Sequence, residues 1–294
     1  MKLHSILELI LLAAMWGASF LFIKVAAPEF GPVPLVLLRV GLAALFLIPL
    51  YCMRHRLMDF WPYRWHLVVV GLCNSALPFL LLAWASTSVP AGFLAVMNAT
   101  APLFAALVAW VWCGQVLSRW QIVGMFTGVF GVALLVSSRL QVPEAGLGVI
   151  PSVLKALLAT FLYGVAANYT KVYLNQCSSL LIATGGQTVA SILLLPFAII
   201  LWPEVPASNT AWICAVALAV ISTAIGFLLY YRLIAGIGPT RAIAVTFLVP
   251  VFGLVWGYVF LNEVLTVYMF LGAAVVFLGT ALATGILRPR QILA

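Results

Sequence analysis

Charge is what this chain has least of. Of its 294 residues 7% are charged, 14 Lys and Arg against 6 Asp and Glu, where soluble domains carry roughly 25%. So little ionic surface excludes an ordinary soluble domain. Histidine is scarce too. His4, His55 and His66 are dispersed, with no H-E-x-x-H pattern and no Gly-rich phosphate loop, which leaves no zinc-peptidase or nucleotide signature. Cys52, Cys73, Cys113, Cys177 and Cys214 lack paired spacing, so they read as buried apolar residues rather than disulfides or metal ligands. No metal and no cofactor is expected. The basic residues form no stripe, which removes nucleic acid as a partner. Polar stretches long enough for a linker are absent as well.

What is present is apolar sequence, 66% of the chain. Crossing a bilayer takes about 20 mostly apolar residues. Ten such runs follow one another at roughly 5–27, 34–52, 66–86, 92–113, 120–137, 149–173, 180–202, 211–231, 240–261 and 266–287. In lipid the backbone must satisfy its own hydrogen bonds, so these runs are predicted helices. The alternation of a membrane barrel is missing. Lys2 and the apolar stretch Ile6–Met15 imitate a secretory leader, but Glu8 interrupts it and the run continues to Ala27. It reads as the first helix of the mature fold.

The chain also repeats itself. A shift of 148 positions carries Pro102 onto Pro250, Gln115 onto Glu263, Leu117 onto Leu265, Gly124 onto Gly272 and Gly131 onto Gly279. A shift of 147 carries Gly17 onto Gly164 and Lys24 onto Lys171. Two five-helix units follow, 1–147 and 148–294. Five is odd, so the second unit enters the membrane in the opposite sense. Loops and ends on the N-terminal side hold Lys2, Arg54, Arg56, Arg64, Arg119, Arg232, Arg288 and Arg290; the other side holds Arg139 with Glu29, Glu144 and Glu204. The positive-inside rule then places both termini in the cytoplasm. The fold class is all-α integral membrane, ten transmembrane helices as two inverted five-helix repeats. In such proteins the substrate site lies where the repeats meet.

The motifs narrow this further. Trp16-Gly17-Ala18-Ser19-Phe20 precedes Lys24, Pro34 and Arg39. Pro102, Gly114-Gln115, Leu117-Ser118, Gln121, Gly124 and Gly128 follow in the first half, then Gly238-Pro239-Thr240-Arg241-Ala242, Pro250, Asn262-Glu263, Leu265-Thr266 and Gly272 in the second. In this order the set resembles the drug/metabolite transporter superfamily, in its ten-helix branch of two EamA-type repeats, over the whole chain. Within that branch it is most similar to YddG-type exporters of amino acids, aromatic ones included. The resemblance implies a bacterial inner-membrane exporter that alternates between inward- and outward-open states around a central cavity.

The residues themselves suggest where that cavity lies. Pro102 and Pro250 each remove a backbone donor in mid-helix, and matched interruptions point to a site or hinge. Pro78 adds a break, with Gly226 as its mate. Asn74, Asn98, Asn168, Ser222 and Thr246 put polar side chains at mid-membrane depth, where they must be bonded or face the interior. Trp16, Phe79, Tyr163 and Tyr230 would add aromatic faces, Trp16 and Tyr163 at equivalent places. Trp84 and Tyr231 are weaker candidates for the same wall. Trp61, Trp65, Trp112, Trp120, Trp202 and Trp212 sit near helix ends and read as interfacial belt. Lys24 and Lys171 can snorkel or act as gates by bonding carbonyls of the other half. Arg39 can bond carbonyls, gate, or hold a substrate carboxylate. Gln115 and Glu263 read as structural, the latter at the start of its helix. The glycines of helices five and ten suit an internal or a dimer contact, so monomer and homodimer both stay open. No carboxylate sits at mid-membrane, which leaves facilitated diffusion open beside proton coupling. The sequence thus predicts an alternating-access exporter of small amphiphilic metabolites, foremost amino acids. Export of quaternary cations or other drugs is the alternative, and a passive channel or an intramembrane enzyme the readings from other classes.

Overall fold

Apolar runs without water must close every backbone hydrogen bond internally, and the computed structural model does so with helices alone among the described residues. Described are residues 3–53, 55–140, 146–238, 242 and 245–285, without the side chains of 138–140 and 146–148. Ten helices follow: α1 (Leu3–Phe30), α2 (Pro32–Cys52), α3 (Leu57–Ser86), α4 (Ala91–Cys113), α5 (Arg119–Leu140), α6 (Gly146–Tyr173), α7 (Ser179–Ile200), α8 (Asn209–Ile237), α9 (Val245–Leu261) and α10 (Val267–Ala283). Eight of the ten contain apolar stretches long enough to cross a membrane, and α9 and α10 are shorter apolar helices. Lys2, Arg54, Glu144, Arg241, Arg288 and Arg290 lie outside the described residues, as do Pro239 and Thr240 of the expected motif.

The repeat is visible in the packing. The neighbours α1–α9 are matched by α6–α4, and the pair α3–α7 by α8–α2. The contacts α2–α7 and α5–α10 map onto themselves. This is the pattern of a two-fold axis relating two inverted repeats. It holds at atomic detail. A Cβ on Gly17 would sit 2.9 Å from the Gly253 nitrogen, and one on Gly164 2.8 Å from the Ala105 nitrogen. Ala105 and Gly253 differ by the same 148 positions. Only a residue without a side chain lets these backbones approach. The stripe on α5 and α10 is internal: a Cβ on Gly131 would lie 2.7 Å from the Val276 nitrogen, and one on Gly272 3.2 Å from the Gly131 carbonyl.

Two helices change register midway. Gly71–Ala76 in α3 and Leu218–Ile225 in α8 form π-turns at equivalent positions. Pro78 supplies no N–H, which accounts for the wider turn in α3. In α8 the hydroxyl of Thr223 donates to the Leu218 carbonyl at 2.8 Å. The prolines of α4 and α9 behave differently. Ahead of Pro102 the helix stops at Asn98 and restarts at Ala101, with Thr100 donating back to the Met97 carbonyl at 2.8 Å. Pro250 instead lies inside the continuous helix Val245–Leu261. The expected pair of interruptions is therefore a break on one side and an uninterrupted helix on the other.

Candidate functional site

Between the repeats lies a cavity of about 720 Å³, large enough for a metabolite of a dozen or so heavy atoms. Its wall draws on α1 to α6 and α8 to α10. Trp16, Asn74, Phe79, Asn98, Tyr163, Ser222, Tyr230 and Thr246 all line it, as do Pro102 and Arg39. Pro78, Asn168 and Pro250 do not. Pro78 and Pro250 are buried in packing. Asn168 donates through Nδ2 to the carbonyls of Ala105 and Gly164, both at 2.9 Å, and so staples α6 to α4 behind the wall. Trp84 faces outward, 41% exposed, and Tyr231 also stands off the wall, stacked on Phe227.

Local geometry explains how the wall residues are held. The ring of Trp16 seats where Gly226 has no side chain; a Cβ there would lie 2.6 Å from Trp16 Nε1. Tyr230 packs on the same ring at 5.2 Å. Ser222 donates to the Met15 carbonyl at 2.8 Å, joining α8 to α1. Asn98 ends the first segment of α4, and its Oδ1 is buried without a hydrogen-bond partner. An orphaned acceptor of this kind costs about 1–3 kcal/mol.

The two ends of the cavity differ. At the end remote from the described termini, Glu263 reaches across to the other repeat. Its carboxylate accepts from the Ala91 and Gly92 amides at 2.6 and 3.0 Å. It therefore caps the N-terminus of α4, while Thr266 caps α10 by accepting from the Met269 amide at 3.3 Å. This corrects the expectation that Glu263 serves its own helix. Lys24 closes the same end by donating to the carbonyls of Ser86 and Val89 at 2.6 and 3.1 Å. Those carbonyls belong to its own repeat, not to the other. Pro90 has no N–H for Ser86, so the ammonium supplies the missing donor at a helix C-terminus.

At the opposite end the equivalent residues have no such partners among the described residues; positions 239 and 240, which match Ala91 and Gly92, lie outside them. Gln115 has the same backbone setting as Glu263: its amide donates to Ala109 O at 3.2 Å, as the Glu263 amide does to Gly257 O at 3.1 Å. Gly114 and Asn262, just before them, both have positive φ, 63° and 52°. Yet the Gln115 side chain is exposed and lines the cavity mouth. Beside it Gln121 donates to the Ala283 carbonyl at 3.1 Å. Lys171 is exposed, and the Ile234 carbonyl that matches Ser86 is filled by the Gly238 amide at 3.0 Å. The cavity is thus latched at one end, and among the described residues no matching latch closes the end where α4 finishes and α5 begins.

The wall also holds Ser19, Gln115, Gln121, Phe227 and Thr284, which sequence reasoning does not place there, and Thr223, which stands with Ser222 among the polar residues at mid-membrane depth. From sequence Gln115 reads as structural, and Gln121 carries no signal beyond its place in the family motif. No group of three or more His, Cys, Asp or Glu among the described residues could hold a metal. The five cysteines are unpaired.

Comparison with known proteins gives a consistent picture. The sequence model of the EamA-like transporter family matches residues 4–137 and again 150–285. A probable terminal-alkyne amino-acid exporter of Streptantibioticus cattleyicolor is 28% identical, over 96% of this chain and 94% of its own. A probable amino-acid metabolite efflux pump of Escherichia coli is 25% identical, over 92% and 91%. A solved crystal structure superimposes with a TM-score of 0.66 at 18% identity, covering 98% of this chain and 99% of the other, which is a likeness of fold.

Proposed function

We propose that this chain, which belongs to the EamA-like transporter family, exports small metabolites bearing an amino-acid backbone by alternating access. The family consists of transporters, not enzymes, and the chain is a multi-pass membrane protein with ten apolar helices among the described residues. The observation that carries the finer reading is the 720 Å³ cavity between the repeats, latched by Glu263 at one end and without a matching latch among the described residues at the other. A passive channel needs a path open through both ends; a carrier needs one closed end and a means of exchanging it. Gln115 and Glu263, in matching turns of the two repeats, supply that means.

Several further assignments rest on the same reading. The repeats divide at 147/148, the termini face the cytoplasm, and the protein resides in a bacterial inner membrane. The end without the Glu263 latch is then the cytoplasmic one, where loading for export takes place. Trp16, Asn74, Phe79, Asn98, Tyr163, Ser222, Tyr230 and Thr246 contact substrate. The names of the two exporters above favour amino-acid-like cargo. A wall without any Asp or Glu among the described residues disfavours quaternary cations, which need anionic or fully aromatic surroundings. Efflux of labelled amino acids from loaded proteoliposomes tests the reading. Trp16→Ala and Asn98→Ala should each lower flux at least several-fold with the folded protein retained. Unchanged flux in both would remove the cavity from the transport path.

A further inference from the structure

We infer that Arg39 is the anchor for a substrate carboxylate, which makes the cavity selective for carboxylates over their neutral amides. The inference rests on the carrier reading above and adds a chemical group to it. Among the described residues Arg39 is the one charged residue of the wall, and it is itself 7% exposed. Its Nε donates to the hydroxyl of Thr223 at 3.0 Å, and its guanidinium lies over the ring of Phe79, 3.4 Å from the centroid. No carboxylate pairs with it: the one ion pair among the described residues joins Arg232 to Glu8, 3.1 Å apart. The expected backbone carbonyls are not there either. The Nη pair has no acceptor among the described residues, while the guanidinium stays protonated in any protein setting.

The second repeat shows what the scaffold alone requires. Gln187 occupies the place equivalent to Arg39, and Ser75 the place equivalent to Thr223. Gln187 Nε2 donates to Ser75 Oγ at 3.0 Å, which is the same bond made by a neutral side chain. Tying α2 or α7 to the π-turn of its neighbour therefore needs a donor but not a charge. Gln187 is fully buried away from the cavity wall, whereas Arg39 is part of it. An arginine in a membrane interior without a counter-ion is costly, and the structural bond does not account for retaining it. An incoming carboxylate does. With Nε occupied by Thr223, the two Nη groups remain as a fork that matches the spacing of two carboxylate oxygens. Phe79 and Thr223 fix the plane of that fork, so little side-chain freedom is lost on binding.

The experiment is thermal-shift binding to the purified full chain in detergent. The probes are L-leucine and L-phenylalanine, the amide of each, phenylacetate and inorganic phosphate. The wild-type protein should bind the acids, phenylacetate included, roughly 10- to 100-fold more tightly than the amides, as loss of a charge-assisted pair implies. Arg39→Gln should abolish that preference, and Arg39→Lys should keep part of it. The comparison of acid with amide on the wild-type protein stands even where a variant fails to fold. Equal binding of acids and amides, or a preference that survives in Arg39→Gln, would overturn the anchor and leave the carrier reading intact. Phosphate binding as tight as that of the acids would overturn the assignment to carboxylates. Binding of none of the acids would overturn the anchor and the amino-acid reading together.

Discussion

Replacing Glu263 by glutamine perturbs the latch with almost no change in shape. In the wild-type protein two backbone amides at the start of α4 donate to two carboxylate oxygens, at 2.6 and 3.0 Å. The carboxylate also sits at the positive end of a helix. Glutamine keeps one acceptor oxygen and turns the other into a donor, which faces an amide that cannot accept. One charge-assisted bond is lost and the other weakened, about 1.5–3 kcal/mol in all. At 1.4 kcal/mol per decade, the ratio of latched to unlatched protein should fall roughly 10- to 100-fold. Double electron–electron resonance reads this ratio. Spin labels at Thr87 and Val264, both exposed at the latched end, in a background without the native cysteines, report its separation. The wild type should give one short distance, and Glu263→Gln should add a longer one. The mate Gln115 permits the converse test: Gln115→Glu should favour the state closed at the opposite end. Distance distributions unchanged in both variants would refute the idea that these two turns bias the exchange.

Other expectations concern the scaffold and its orientation. Gly164→Ala should destabilise the protein by about 1–3 kcal/mol through overpacking, seen as a lower melting temperature, because the added Cβ meets the α4 backbone at 2.8 Å. Lys24→Met should cost about 1–2 kcal/mol by orphaning the Ser86 carbonyl, whereas Lys171→Met should be near neutral; thermal unfolding of the pair separates them. Cysteine labelling in whole cells should find position 56 protected from impermeant reagent and position 204 reactive, and the reverse pattern would invert the topology.

The scale of the fold was legible because bilayer thickness and backbone satisfaction leave few options for ten apolar runs. The repeat was legible because close helix approach tolerates only small residues, so Gly17 and Gly164 had to recur. Facing was harder. Asn98 and Asn168 are both mid-helix asparagines, yet Asn98 lines the cavity and Asn168 bonds two carbonyls behind it. Their difference lies in helix rotation, which tertiary packing sets. Pro102 and Pro250 show the same limit: one proline follows a helix break and the other lies within a continuous helix. The π-turns had Pro78 as a local cause in α3 but no such mark in α8. Arg39 was visible as a deep charge, and its neutral mate as well. What the sequence could not display was the shared bond to Ser75 and Thr223, which separates the scaffold's need for a donor from the charge.

The central claim, a carrier that exposes one cavity to each side in turn, is tested most directly by counterflow. Proteoliposomes preloaded with unlabelled L-phenylalanine are diluted into tritiated L-phenylalanine, and uptake is followed over time. Alternating access predicts a transient accumulation of label above equilibrium that saturates with external concentration and vanishes without preload. Uptake that is linear in concentration and indifferent to preload would contradict it.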